Sequence, residues 1–90
     1  MGCVRRRVVA HGRVQGVFFR DATRREAERR GVAGSATNTP EGTVECVFEG
    51  SEDAVEALVA FVRGGPGHAS VDSVDVTEEE PEGLTAFSVR

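Results

Sequence analysis

The sequence predicts a single α+β domain, residues 1–90, in which one antiparallel sheet carries two helices on one face. Three observations lead there. Short segments alternate apolar and polar residues, the mark of half-buried strands. Two other segments carry helix signals. A Thr39-Pro40-Glu41-Gly42 turn then joins two strand candidates into a hairpin between the helices. The order β-α-β-β-α-β, with one further short strand at the end, is the split βαβ, ferredoxin-like sandwich.

The first strand is expected over Val4 to His11, with Val4, Val8 and Ala10 on one face and Gly12 as its end. A glycine-flanked loop closes on Phe18 and Phe19. Asp21 to Arg30 has strong helix formers and a stop at Gly31, but only a thin apolar stripe around Phe18 and Ala22, widened by Phe19 and Ala27. Val32 to Asn38 is a strand of small residues. Thr43 to Gly50 is the best strand, with Val44, Cys46 and Phe48 alternating against Thr43, Glu45 and Glu49. Ser51 is an N-cap, and Glu52 and Asp53 suit the positive end of the helix that follows. Val55, Leu58, Val59 and Val62 make its apolar stripe, with Phe61 at the margin, and Gly64-Gly65-Pro66-Gly67 stops it. Val71 to Thr77 reads as a strand, Glu78 to Gly83 as a solvated acidic loop, and Ala86 to Arg90 as a short last strand. All five phenylalanines read as core.

Composition narrows the function. No apolar run approaches the roughly 20 residues that span a bilayer. Arg5, Arg6 and Arg7 precede only three apolar residues, too few for a signal peptide. A cytoplasmic protein without a membrane partner is expected. Cys3 and Cys46 are too few for a disulfide scaffold or a zinc site. The net charge of −4 is uneven: residues 1–30 carry +6 and residues 31–90 carry −10. A cationic N-terminal third suggests a local anion site, while the acidic remainder argues against a nucleic-acid surface. Arg5, Arg6 and Arg7 are expected to be solvated strand-end charges, and His11 to be solvated or packed.

The chemistry concentrates in Gly12-Arg13-Val14-Gln15-Gly16-Val17-Phe18-Phe19-Arg20. A strand enters a glycine-bounded loop that opens a helix, so backbone N–H groups and the positive helix end converge on one spot. An arginine at the loop's exit can fork onto two phosphate oxygens. No Gly-Lys-Ser/Thr follows, and the dinucleotide-binding glycine pattern is missing. An anion cradle is the reading from physics; a plain strand–helix turn with a surface arginine is the alternative.

This nine-residue segment resembles the signature of the acylphosphatase family. A second resemblance lies in Gly34-Ser35-Ala36-Thr37-Asn38 followed by Gly42-Thr43-Val44-Glu45, and the likeness covers nearly the whole chain. It implies hydrolysis of the carboxyl–phosphate anhydride of acyl phosphates, without metal or cofactor. It assigns the loop Gly12, Arg13, Val14, Gln15, Gly16, Val17 and Phe18 to phosphate binding through backbone amides. It assigns Arg20 to the phosphoryl oxygens and Asn38 to the attacking water. Arg13 is expected to lend field rather than contact. Ser35, Ala36 and Thr37 are smaller than the family often has there, which predicts a looser second strand or a wider substrate opening. The expectation is a monomer acting on a small acyl phosphate. Two other readings stand beside it. An RNA-binding module shares this strand–helix order but requires exposed aromatics on its first and third strands, where this sequence offers only Phe48, on an apolar face, and none on the first. A non-catalytic domain binding phosphate or carbamoyl phosphate would keep the loop without useful turnover; similar domains open larger proteins of hydrogenase maturation.

Overall fold

The computed structural model describes residues 2–90. Seven elements follow one another: β1 (Cys3–Arg13), α1 (Phe19–Arg29), β2 (Ala33–Asn38), β3 (Val44–Ser51), α2 (Glu52–Arg63), β4 (Ser70–Glu79) and β5 (Phe87–Val89). They form one five-stranded sheet in the order β4-β1-β3-β2-β5. The first four strands pair antiparallel, as the split βαβ order predicts. The fifth departs from an all-antiparallel sheet: β5 lies parallel to β2 at its outer edge, with Gly34 beside Phe87 and Ala36 beside Val89. Its chain arrives by a strap, residues 80–86, that crosses from the β4 edge to the β2 edge, and that crossing sets the parallel direction.

Both helices pack on the same face of the sheet and against each other, α2 over β1 and β3, α1 over β2 and β5. Val8 and Ala10 of β1, Val44, Cys46 and Phe48 of β3, and Ala36 of β2 are all fully buried beneath them. From α2, Val55, Leu58, Val59 and Val62 come down onto this layer, the stripe expected from their spacing. Burying a side chain such as Leu58 stabilises the fold by roughly 1.5–3 kcal/mol. The Ser51 cap forms: its Oγ accepts from Ala54 N–H at 3.3 Å. Cys46 is inert in this layer, since burial first, then the nearby Glu45 charge, pushes its thiol up to about 12.

Three expectations fail, two of them on the other face. Arg5 is not a solvated strand-end charge; it is 5% exposed. Cross-strand register puts Glu49 beside it on β3 and Glu79 beside it on β4. Its guanidinium donates to Glu49 at 2.6 Å and to Glu79 at 2.8 Å. Glu79 belongs to β4, not to an acidic loop, and also accepts from Arg7 at 2.7 Å. Glu49, 2% exposed, accepts in addition from the amides of Glu82, Gly83 and Leu84 at 2.8, 3.2 and 3.0 Å. Burial alone would raise its pKa, but these amides and Arg5 outweigh it and hold the carboxyl below its ordinary value. One carboxylate therefore ties the strap to the sheet. The third failure is Phe18, which is 70% exposed rather than core. The smaller differences are that β1 runs through Gly12 with an irregularity in its pairing to β4, and that α1 begins at Phe19 and buries Phe19, Thr23 and Ala27.

Candidate active site

Residues 14–18 connect β1 to α1 and bring their backbone to the helix N-terminus. Val14 and Val17 are buried anchors. Gln15 acts as a strut: its Nε2 donates to the carbonyls of Thr39 and Thr43, both at 2.9 Å. The loop is thereby fastened to the β2–β3 turn, which starts immediately after Asn38. From the other side, His68 N–H donates to Val17 O at 2.9 Å. Gly67 permits this approach, because a Cβ there would lie 2.5 Å from Val17 O. Gly16 takes φ 71°, a left-handed turn that glycine accepts without strain. Phe18 takes φ 64° without that licence, at a cost of roughly 1–2 kcal/mol.

The loop leaves donors free. Among the described residues, the amides of Gln15, Gly16, Val17, Phe18, Phe19 and Arg20 donate to no backbone carbonyl. Phe18 occupies the N-cap position of α1 and offers no side-chain acceptor to the first turn. An uncapped helix start preceded by free loop amides is what a bound anion would complete.

Arg20 and Asn38 meet at one atom. Arg20 Nη1 donates to the backbone oxygen of Arg90 at 2.6 Å, and Asn38 N–H donates to the same oxygen at 3.3 Å. The parallel edge strand is what brings Arg90 there. Arg20 pairs with no side-chain carboxylate among the described residues. The adjacent acid, Asp21, is drawn instead onto Arg24 at 2.7 Å and Arg25 at 2.9 Å. Arg20 is thus left without an Asp or Glu partner among the described residues. Asn38 Oδ1 is buried and accepts no hydrogen bond from the described residues, so it is an unpaired acceptor. A cleft of about 290 Å³ opens beside this group, lined by Val14, Gly16, Phe18, Phe19, Arg20, Asp21 and Val89.

Of the expected residues, Val14, Gly16, Phe18 and Arg20 line the cleft. Gln15, Val17 and Asn38 do not line it, although Asn38 shares the Arg90 oxygen with Arg20. Gly12 and Arg13 are the paired end of β1, opposite Val71 and Ser70, and lie outside it too. Gln15 has a role beyond its amide that no local pattern announces, because its partners lie 24 and 28 residues further on. The same holds for the Arg90 oxygen and for Gly67. A second depression of about 390 Å³ lies on the open face, and Arg5 and Arg7 on its wall are already neutralised by Glu45, Glu49 and Glu79. No helix among the described residues is long and apolar enough to cross a membrane.

Comparison with known proteins bears on the family and the fold. The family model described as Acylphosphatase matches residues 6–89. The chain is 56% identical to an acylphosphatase of Rubrobacter xylanophilus over 93% of its length and 77% of that protein's. It is 52% identical to one from Gloeobacter violaceus, with 96% and 92% covered. The crystal structure of an acylphosphatase from Bacillus subtilis superposes with a TM-score of 0.92 at 38% identity, covering 97% of this chain and 98% of that one. Full-length HypF, in a phosphate- and nucleotide-bound form, contains a similar unit: TM-score 0.91 and 26% identity over 99% of this chain but 12% of HypF.

Proposed function

This chain belongs to the acylphosphatase family and is a hydrolase of acyl phosphates, and from that premise we propose which of its residues do the work. The phosphoryl group sits on the free amides of residues 15–20, with Arg20 forked onto its oxygens. Asn38 holds the attacking water through Oδ1. The single observation that carries this reading is the shared Arg90 oxygen, which sets a guanidinium with no Asp or Glu partner beside a buried, unpartnered amide oxygen.

The chemistry suits so small a set. Water oxygen attacks phosphorus, the bond from phosphorus to the acyl oxygen breaks, and the electron pair leaves with the carboxylate. A carboxylate has a conjugate-acid pKa of roughly 4, so no general acid is needed to protonate it. The water's proton passes to a phosphate oxygen or to solvent. In a loose phosphoryl-transfer transition state the protein's task is positioning and charge stabilisation. Arg20 and the amides stabilise charge on the equatorial oxygens. Asn38, an acceptor for one water hydrogen, turns a lone pair toward phosphorus. No step calls for a metal ion.

The test is hydrolysis of benzoyl phosphate in the presence of EDTA. The wild type is expected to turn over, and Arg20→Ala and Asn38→Ala each to be slower by about 10²-fold or more, the scale of removing one charge-stabilising donor. Variants that match the wild type would refute both assignments. Wild-type protein that binds inorganic phosphate and hydrolyses nothing would instead establish a phosphate-binding domain without turnover.

A further inference from the structure

Phe18 and Phe19 are neighbours in sequence and opposites in the structure. Phe19 is 1% exposed and packs into the core, whereas Phe18 is 70% exposed, the most exposed of the large apolar side chains described. The left-handed backbone at Phe18 makes the inversion: it is the one described non-glycine residue with positive φ. Strain of this kind persists where surrounding structure enforces it, and here the surroundings are identifiable. The α2–β4 loop presses on the backbone of Val17 and Phe18 at Gly67, where a Cβ would lie 2.9 Å from Phe18 O. The next residue, His68, meets the Phe18 ring edge-on, with ring centres 5.9 Å apart and planes at 71°. The ring is thus held up at the cleft rather than folded away.

The lining of that cleft is of two kinds. Gly16, Arg20 and Asp21 are its backbone and charged part, while exposed Phe18 and Val89, the latter 38% exposed, are its apolar part. An acyl phosphate has the same polarity, a dianionic head and a carbon tail. We propose that the ring of Phe18, with Val89, is the acyl-group subsite, and that it makes the enzyme prefer substrates with aromatic or bulky apolar acyl groups over acetyl phosphate. The proposal rests on the hydrolase reading above. Phe18 thereby acts in two ways, its amide on the phosphate and its ring on the acyl group, and the second can be changed by substitution without altering the first.

Specificity is a ratio of kcat/KM values, so the ratio for benzoyl phosphate against acetyl phosphate is the quantity to measure. Phe18→Gly removes the ring and accepts φ 64° without strain, so the loop keeps its path. The ratio is expected to fall about fivefold or more, the scale of losing one aromatic contact. Phe18→Tyr, which keeps the ring, is expected to retain the wild-type ratio. If Phe18→Gly lowers both substrates equally, or leaves the ratio unchanged, the subsite is elsewhere and the hydrolase reading stands. If the wild type hydrolyses neither substrate, that reading falls and this inference falls with it.

Discussion

Arg5 sits among carboxylates on the open face of the sheet, whereas Arg20, at the start of α1, pairs with no side-chain carboxylate and holds a backbone oxygen. Both side chains are guanidinium groups in the cationic first third of the chain. Their surroundings give them opposite uses. Arg5 is flanked by Glu49 and Glu79 through strand register, so its charge is spent on holding β1, β3, β4 and the strap together. Arg24 and Arg25 take up Asp21, which leaves Arg20 without an Asp or Glu partner. The comparison teaches that an arginine's function is read from what neutralises it, not from its position in a basic segment.

The largest effect expected from breaking this contrast is on stability. Glu49→Ala leaves Arg5 short of a buried partner and frees three strap amides, a loss of about 3–5 kcal/mol. In a domain of this size the melting temperature should drop by roughly 12 °C or more. Calorimetry checks the drop, and kcat at a temperature where the variant is folded should stay within about twofold of wild type. A stable variant with lost turnover would mean that the open face belongs to the site. Arg20→Ala is the mirror image. Beside its kinetic loss of about 10²-fold, worth roughly 2.7 kcal/mol, it gives up one hydrogen bond to Arg90, worth about 0.5–1.5 kcal/mol. Its melting temperature should therefore fall far less than that of Glu49→Ala.

The smallest effect is in acid. Arg7 first, and then Arg5, hold the Glu79 carboxyl down at about 2, against an ordinary value of 4.5. Its folded pKa is depressed, so its contribution to stability is complete above about pH 4.5 and is lost as pH falls through about 2. Denaturant unfolding followed from pH 5 to pH 2 should show stability falling with pH, and Glu79→Gln should flatten part of that slope. An unchanged slope would show that Glu79 is not clamped by the two arginines.

The same contrast explains what was legible in the sequence. The anion cradle was readable because it is local: consecutive residues supply the loop, the helix start and Arg20, and helix-terminal amides need no distant partner to point at an anion. Asn38 was readable only through the family's second motif; by itself it is a residue at the end of a strand. The Arg5 cluster was hidden because alternation along β1 marks Arg5 and Arg7 as the solvent face and cannot register the strap that later covers them. Glu49 looked like one more polar residue of the best strand, and only its three amide partners from residues 82–84 explain its burial. Phe18 was misplaced for a conformational reason. Two adjacent aromatics at a helix start fit either face, and the positive φ that sends one of them outward leaves no trace in hydrophobic periodicity.

The central claim is a division of labour, with Arg20 and the loop amides holding the phosphoryl group and Asn38 holding the water. The most direct test is competitive inhibition of benzoyl phosphate hydrolysis by inorganic phosphate, measured for wild type, Arg20→Ala and Asn38→Ala. The account predicts that Arg20→Ala weakens phosphate inhibition by about tenfold or more, the scale of a charge-assisted hydrogen bond. It predicts that Asn38→Ala lowers kcat while leaving the inhibition constant within about twofold. An Asn38→Ala variant that loses phosphate affinity, or an Arg20→Ala variant that keeps it, would contradict the assignment.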